Sequence, residues 1–344
     1  MDTTSGAASA EPINRVAVVG AGTMGRQIAA LVAASGRNVA LHDADPGALE
    51  RAHPTLRREM ATLPIAPQYR HHEHRLPPPP DPDAVLARIR PVADLAVAVD
   101  GVDLVIEAVR EDIETKRAVF AALDRLAPGA ILATNSSSLP SSLLVPAVSD
   151  PRRLLNLHFF APVWVRPMLE IMGCGRTDPA VLAAADRFGR SLGLATVVVR
   201  GESKGFVINR VWRAVKREAL RVVDEGHADP ADVDRLWMFF FGTSVGPFGI
   251  MDMVGLDVVA DIEASYAAVA TDPEDRASPV LHRLVAAGRV GEKSGEGFYR
   301  HPSPAYLDPT WLRADNPASS PPAADREEGA ARTSGRPPGS APEV

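Results

Sequence analysis

His158, inside the apolar run LNLHFF, and Glu170, inside MLEI, are the residues of this chain best suited to move a proton. A carboxylate beside an imidazole fixes its tautomer and stabilises the imidazolium that forms when histidine takes a proton. That equipment serves the oxidation of an alcohol, in which hydride leaves carbon while the hydroxyl proton goes to a base. The hydroxyl-rich stretch TNSSS (134–138) would hold substrate oxygens beside such a pair. A hydride acceptor is implied by Gly20, Ala21, Gly22, Thr23, Met24 and Gly25, a G-x-G-x-x-G stretch between an apolar run and a helical one. In this context the three glycines permit a tight turn, close approach to a pyrophosphate and packing of helix on strand. Asp43, about 20 residues on, ends the next apolar run, where a carboxylate binds a ribose 2′-hydroxyl and repels a 2′-phosphate. NAD is therefore favoured over NADP, although FAD shares the glycine fingerprint.

These residues need a sheet to bring them together, because ligands of open α/β sheets lie outside the carboxyl ends of the strands. RVAVVG (15–20), NVALHD (38–43), VDLVIEAV (102–109), AILATN (130–135), LLNLHFF (154–160), MLEIM (168–172) and ATVVVR (195–200) read as strands. Their alternation with helical stretches predicts a parallel sheet covered by helices. Thr23 to Ser35 is the first helix, with Met24, Ile28, Leu31 and Val32 on one stripe and Gly36 as its stop. Beyond Gly205 helical periodicity runs without intervening strands. The expected organisation is a flexible leader (1–12), a Rossmann-type α/β NAD domain (13–200), an all-α domain (201–311) and a disordered tail (312–344).

Composition removes several alternatives. The chain has 344 residues, 46% of them hydrophobic, and no run of about 20 apolar residues that would span a bilayer. A net charge of −6 gives no broad positive field for nucleic acid. The lone Cys174 excludes a disulfide framework, and with a leader that lacks an apolar block it predicts a cytoplasmic protein. No metal is expected: His71, His72 and His74 lie in a proline-broken segment (61–83) that reads as a solvated loop. WMFFFG (237–242) reads as core or dimer interface. GPFGIMDMVGLD (246–257) reads as turn-rich, with Asp252 and Asp257 as caps or turn residues.

The ordered motifs GAGTMG, NSSS, HFFxPV, LEI, GFxxNR, GPFxxxD, GLD and GEKSGEGFY, from about Ile13 to Tyr299, resemble the 3-hydroxyacyl-CoA dehydrogenase family, in particular its single-function, short-chain 3-hydroxybutyryl-CoA members. The resemblance implies a Rossmann-type NAD domain, a helical domain forming a homodimer interface, and oxidation of an L-3-hydroxyacyl thioester to its 3-keto form. It also implies that His158 is the base, Glu170 its partner acid, and Ser137 and Asn209 substrate-positioning residues. Glu111, Lys116, Asn135 and Lys293 fall on the family's cofactor positions. Two departures stand out: Ala161 replaces the usual asparagine of HFFNPV, and residues 44–110 contain no lysine for coenzyme A. Arg51, Arg57, Arg58, Arg70 and Arg75 read chiefly as a solvated face. VWVRPM (163–168) puts Trp164 and Arg166 near the expected substrate pocket, similar to relatives that oxidise free polar 3-hydroxy acids or carnitine. A carrier-protein thioester and a catalytically silent relative are the remaining alternatives.

Overall fold

The structure is a computed structural model that describes residues 12–62, 75–77, 79, 81–268, 278–308 and 310–312. His71, His72 and His74 lie outside the described residues, as do nearly all of the expected leader and tail. The chain divides into two compact units, the first ending at Val211 and the second beginning at Trp212.

The first unit runs β1 (Arg15–Val19), α1 (Thr23–Ala34), β2 (Asn38–His42), α2 (Pro46–Thr62), α3 (Pro82–Ala87), β3 (Ile89–Val92), α4 (Leu95–Val99), β4 (Leu104–Glu107), α5 (Ile113–Leu126), β5 (Ile131–Thr134), β6 (Leu154–Phe159), β7 (Met168–Gly173), α6 (Pro179–Ser191) and β8 (Ala195–Val199). The strands form one eight-stranded sheet in the order β3-β2-β1-β4-β5-β6-β7-β8. Strand alternation builds a core on each face: Val16, Val18, Leu104 and Ile106 pack with α1 and α6, while Ala17, Val19 and Val105 pack with Phe120 and Leu123 of α5. Because both faces are covered at β1, β2 and β4 to β7, those strands are near-continuous apolar runs, which is why they stand out in the sequence.

Two features of the sheet correct the sequence reading. β7 runs antiparallel to β6, so the sheet is mixed rather than wholly parallel. β3, absent from the predicted strands, is IRPV; its Pro91 is tolerated because β3 is an edge strand paired only with β2.

The second unit holds most of α7 (Ile208–Asp224), then α8 (Pro230–Phe241), α9 (Pro247–Val254), α10 (Leu256–Ala267) and α11 (Pro279–Ala286). Phe248, Met251, Leu256, Val259, Tyr299 and Trp311 form its core. The GPFGIMDMVGLD stretch is helical rather than turn-rich, and the reason is long-range. Asp234 of α8 accepts hydrogen bonds from the Phe248 and Gly249 N–H groups in the first turn of α9, at 2.8 and 2.9 Å. Asp252, read as a cap or turn residue, is a buried acceptor inside α9 for the N–H groups of Phe298 and Tyr299 and faces His301 Nε2 at 3.1 Å.

Burial pushes the Asp234 carboxyl up to about 7, against the hydrogen bonds from Phe248, Gly249 and the Tyr299 hydroxyl, and the neighbouring Asp252 adds to the rise. A carboxyl raised in the folded state is protonated there while it is ionised in the unfolded chain. Its contribution to stability is therefore full below the ordinary value of 3.8 and is lost as pH rises through about 7. Asp234→Asn is expected to flatten the dependence of Tm on pH between about pH 4 and pH 7. A variant with an unchanged slope would assign that dependence to other groups.

Candidate active site

The glycine turn joins β1 to α1 where neighbouring strands lead away in opposite directions, β2 to one side and β4 to the other. Gly20 has φ +108, and a Cβ there would strike the Ala108 carbonyl. A Cβ on Gly25 would overlap the Gly20 carbonyl, so α1 can lie this close to β1 only with glycine at both positions. α1 starts at Gly22 with no side-chain cap and no acidic residue in its first turn. Its free N–H groups and positive end fit a pyrophosphate. Asp43, just past β2, accepts the Ala21 N–H at 2.6 Å and the Asp45 N–H at 2.9 Å, tying the turn to the end of the second strand.

A cleft of about 370 Å³ opens at the carboxyl ends of the strands. α1 contributes Met24, the stretch after β4 contributes Ala108, Val109 and Glu111, and α5 contributes Lys116. Asn135, Ser136 and Ser137 follow β5, His158 and Phe159 end β6, and Phe160, Ala161 and Arg166 come from the connection to β7. Asn135 binds the two strand ends together by accepting the Phe159 N–H at 3.0 Å. The exposed Ser137 and the buried His158 both line this cleft.

His158 and Glu170 are direct partners in the antiparallel β6–β7 register. Nδ1 of His158 is 3.0 Å from Glu170 Oε2, and both side chains are about 6% exposed. The carboxylate favours the tautomer with the proton on Nδ1, which leaves a free lone pair on Nε2. Glu170 Oε1 accepts the N–H groups of Val207 and Ile208 at 3.0 and 2.8 Å, so both carboxylate oxygens are used. Phe160 and Phe206 pack on the imidazole, with ring centroids at 4.2 and 4.8 Å.

A second charged group lies along the cleft wall. Lys116 is 1% exposed and lies 2.7 Å from Glu107 Oε1 and 3.3 Å from Glu111 Oε2. Asp112 caps the N-terminus of α5 through the Thr115 N–H and so sets where Lys116 emerges. Glu107, fully buried, also accepts the Val109 N–H and the Thr134 hydroxyl. Burial pushes its carboxyl up, and the Lys116 charge opposes the rise without cancelling it. Glu111 is held below the usual carboxylate range: burial raises it, but the hydroxyls of Ser136 and Ser138 and the Lys116 ammonium together outweigh burial. Glu107 escaped the sequence reading, while Ser136 and Ser138 entered it only within TNSSS (134–138), as holders of substrate oxygens rather than as partners of Glu111. The available signal was a glutamate ending the apolar run LVIE.

Other predicted site residues fall elsewhere. Trp164 does not line the cleft; it is 2% exposed and belongs to the core on the α1 face. The turn after Pro162 folds its indole inward because burying so large an apolar surface outweighs any contact at the cleft edge. Anchored by that turn, Arg166 does reach the cleft, where its guanidinium donates to the Ala161 carbonyl. Asn209 stands in the first turn of α7, next to the N–H groups that hold Glu170, and is not among the lining residues. Lys293 belongs to the second unit, where it pairs with Asp257 at 2.5 Å. Among the described residues no cluster of three or more histidine, cysteine or acidic side chains could hold a metal ion. Within the same residues no helix is long and apolar enough to cross a membrane.

A dinucleotide turn at the sheet's switch point, with a carboxylate-held imidazole three strands along the sheet, is the arrangement of a Rossmann-type NAD-dependent dehydrogenase. Residues 15–203 match the 3-hydroxyacyl-CoA dehydrogenase NAD binding domain, and residues 205–301 match the C-terminal domain of the same family. The chain belongs to the 3-hydroxyacyl-CoA dehydrogenase family, and its cofactor is NAD. It is similar to the 3-hydroxybutyryl-CoA dehydrogenase of Mycobacterium tuberculosis, 33% identical over 85% of this chain and 99% of that one. It is also similar to the 5-formyl-3-hydroxy-2-methylpyridine 4-carboxylate 5-dehydrogenase of Mesorhizobium japonicum, 34% identical over 83% of this chain and 90% of that one. The solved (S)-3-hydroxybutyryl-CoA dehydrogenase of Ralstonia eutropha superposes with a TM-score of 0.73 at 29% identity, covering 85% of this chain and all of that one.

Proposed function

We propose that this enzyme oxidises the 3-hydroxyl of an acyl thioester to the ketone, with His158 as the base. The observation that carries this reading is the His158–Glu170 pair opening on the same cleft as Ser137 and the glycine-turn residue Met24. Gly20 to Gly25, Asp43, Glu111, Lys116 and Asn135 would hold NAD+, which when bound would supply the hydride acceptor. Nε2 of His158 takes the hydroxyl proton, and Glu170 stabilises the imidazolium through Nδ1–H. Ser137 and Asn209 orient the substrate oxygens. In this reading residues 13–200 hold the cofactor and residues 201–311 pair two subunits. The outward Leu236, Phe239, Phe240 and Phe241 of α8, between 56% and 81% exposed, support pairing, while Met238 of WMFFFG belongs to the unit's core. A lone, buried Cys174 suits the reducing cytoplasm.

Arg166 in the cleft favours a second reading, in which the substrate carries a carboxylate, as the named substrate of the Mesorhizobium relative does. One experiment separates the two: NADH oxidation, followed by fluorescence, with acetoacetyl-CoA, acetoacetate and dehydrocarnitine. Thioester reduction at about 1–10³ s⁻¹ is expected, and silence with every thioester while NADH binds would sink the first reading. Preference for the free acids, lost by roughly ten- to a hundredfold in Arg166→Met, would establish the second.

A further inference from the structure

Phe206 is the one non-glycine residue with positive φ among the described residues, at φ 54, and it follows Gly205 at φ 79. An L side chain rarely adopts this left-handed conformation. Ser203 fastens it at both ends: its carbonyl accepts the Phe206 N–H at 2.9 Å, and its hydroxyl donates to the Phe206 carbonyl at 2.8 Å. Val207 and Ile208 remain exposed, while the Phe206 ring is 2% exposed and packs 4.8 Å from the His158 imidazole. The next two N–H groups, of Val207 and Ile208, converge on the carboxylate that holds that imidazole. A left-handed pair followed by successive N–H groups aimed at one anion is a backbone nest.

We propose that Phe206 is a positioning residue for the proton-transfer pair. Its backbone turn aims the nest at Glu170, and its ring confines the His158 imidazole to the orientation with Nδ1 toward Glu170 and Nε2 toward the cleft. Both ends of the His158–Glu170 hydrogen bond are thus set by one residue that touches neither substrate nor cofactor. A core residue chosen only for packing would have no need of this backbone conformation, whereas the nest requires it. The proposal rests on His158 being the base.

The test replaces Phe206 with glycine, which adopts the left-handed turn without cost but has no ring, and with tyrosine, which keeps the ring. Phe206→Gly is expected to lower kcat by about ten- to a hundredfold, with KM for NADH and substrate within about threefold, because the base is misplaced rather than the binding surface. Phe206→Tyr is expected to retain kcat within about threefold. The His158 Nδ1–H proton resonance, assigned by its absence in His158→Gln, is expected to be visible in the wild type and lost to solvent exchange in Phe206→Gly. A folded Phe206→Gly enzyme with unchanged kcat and an intact Nδ1–H resonance would overturn the proposal, as would a loss confined to KM. The His158→Gln enzyme separates the two failures: if it is inactive while Phe206→Gly runs at full rate, the base stands and the positioning role falls; if His158→Gln is active, the base assignment itself has failed.

Discussion

His158→Gln is expected to lower kcat by about 10²- to 10⁴-fold, the range that general-base catalysis supplies. The NADH dissociation constant is expected to stay within about twofold, because the change removes a group from the chemical step and not from the dinucleotide turn. Glutamine is the informative replacement. Its amide can still donate to Glu170 and fill the space against Phe160 and Phe206, so the β6–β7 register survives, yet it cannot accept the hydroxyl proton. Alanine would add a cavity between those rings and confuse loss of the base with loss of packing. Glu170→Gln is expected to cost less than His158→Gln, since the base remains while the charge that stabilises its imidazolium is gone. Steady-state rates and NADH fluorescence titration measure both quantities, and a His158→Gln enzyme keeping more than about a tenth of the wild-type rate would exclude His158 as the base.

Lys116→Met is expected to produce the largest loss of stability, about 3–5 kcal/mol, because removing one partner of a buried ion pair leaves the other without its counter-charge. Glu107 is fully buried, and the Lys116 ammonium is the charge that opposes the rise which burial imposes on its carboxyl. Without Lys116 that carboxyl rises further and takes up a proton on folding. A carboxyl raised in the folded state contributes stability at low pH and loses it as pH rises, so the deficit is expected to be larger near pH 8 than near pH 5. Thermal unfolding is expected to show a fall of roughly 10 °C at neutral pH. Glu107→Gln combined with Lys116→Met is expected to recover part of it, since a neutral pair avoids the stranded charge. A single Lys116→Met variant melting with the wild type would show that the pair contributes nothing net. Glu111, 3.3 Å from Lys116, also binds the Ser136 and Ser138 hydroxyls, so the same change loosens the loop that presents Ser137.

The strands and the glycine turn were legible because their signals are local. Apolar runs bounded by polar strand ends report burial on both faces, and two of the three glycines, Gly20 and Gly25, report places where a neighbouring carbonyl leaves no room for a Cβ. His158 and Glu170 could be assigned to neighbouring strands for the same reason. Trp164 and Arg166, two residues apart, looked equivalent in sequence, yet the turn after Pro162 sends one to the core and the other to the cleft. IRPV was missed because proline argues against a strand, and only its place at the sheet edge removes the objection. GPFGIMDMVGLD has the glycine and proline content of a loop; the Asp234 carboxylate, supplied by another helix, holds its first turn in place.

By itself the sequence determined the dinucleotide turn, the α/β character of the first unit, the helical character of the second and the placing of an imidazole and a carboxylate each on an apolar strand. Each of these follows from spacing within a strand, a helix or one strand–turn–helix segment. The tertiary structure decided the antiparallel register that sets His158 opposite Glu170, the burial of Lys116 with Glu107, and the left-handed turn at Phe206 that aims two N–H groups at Glu170. Those depend on which segments pack together, and the energies that select them, burial of charge and satisfaction of backbone donors, are not carried by any one segment alone.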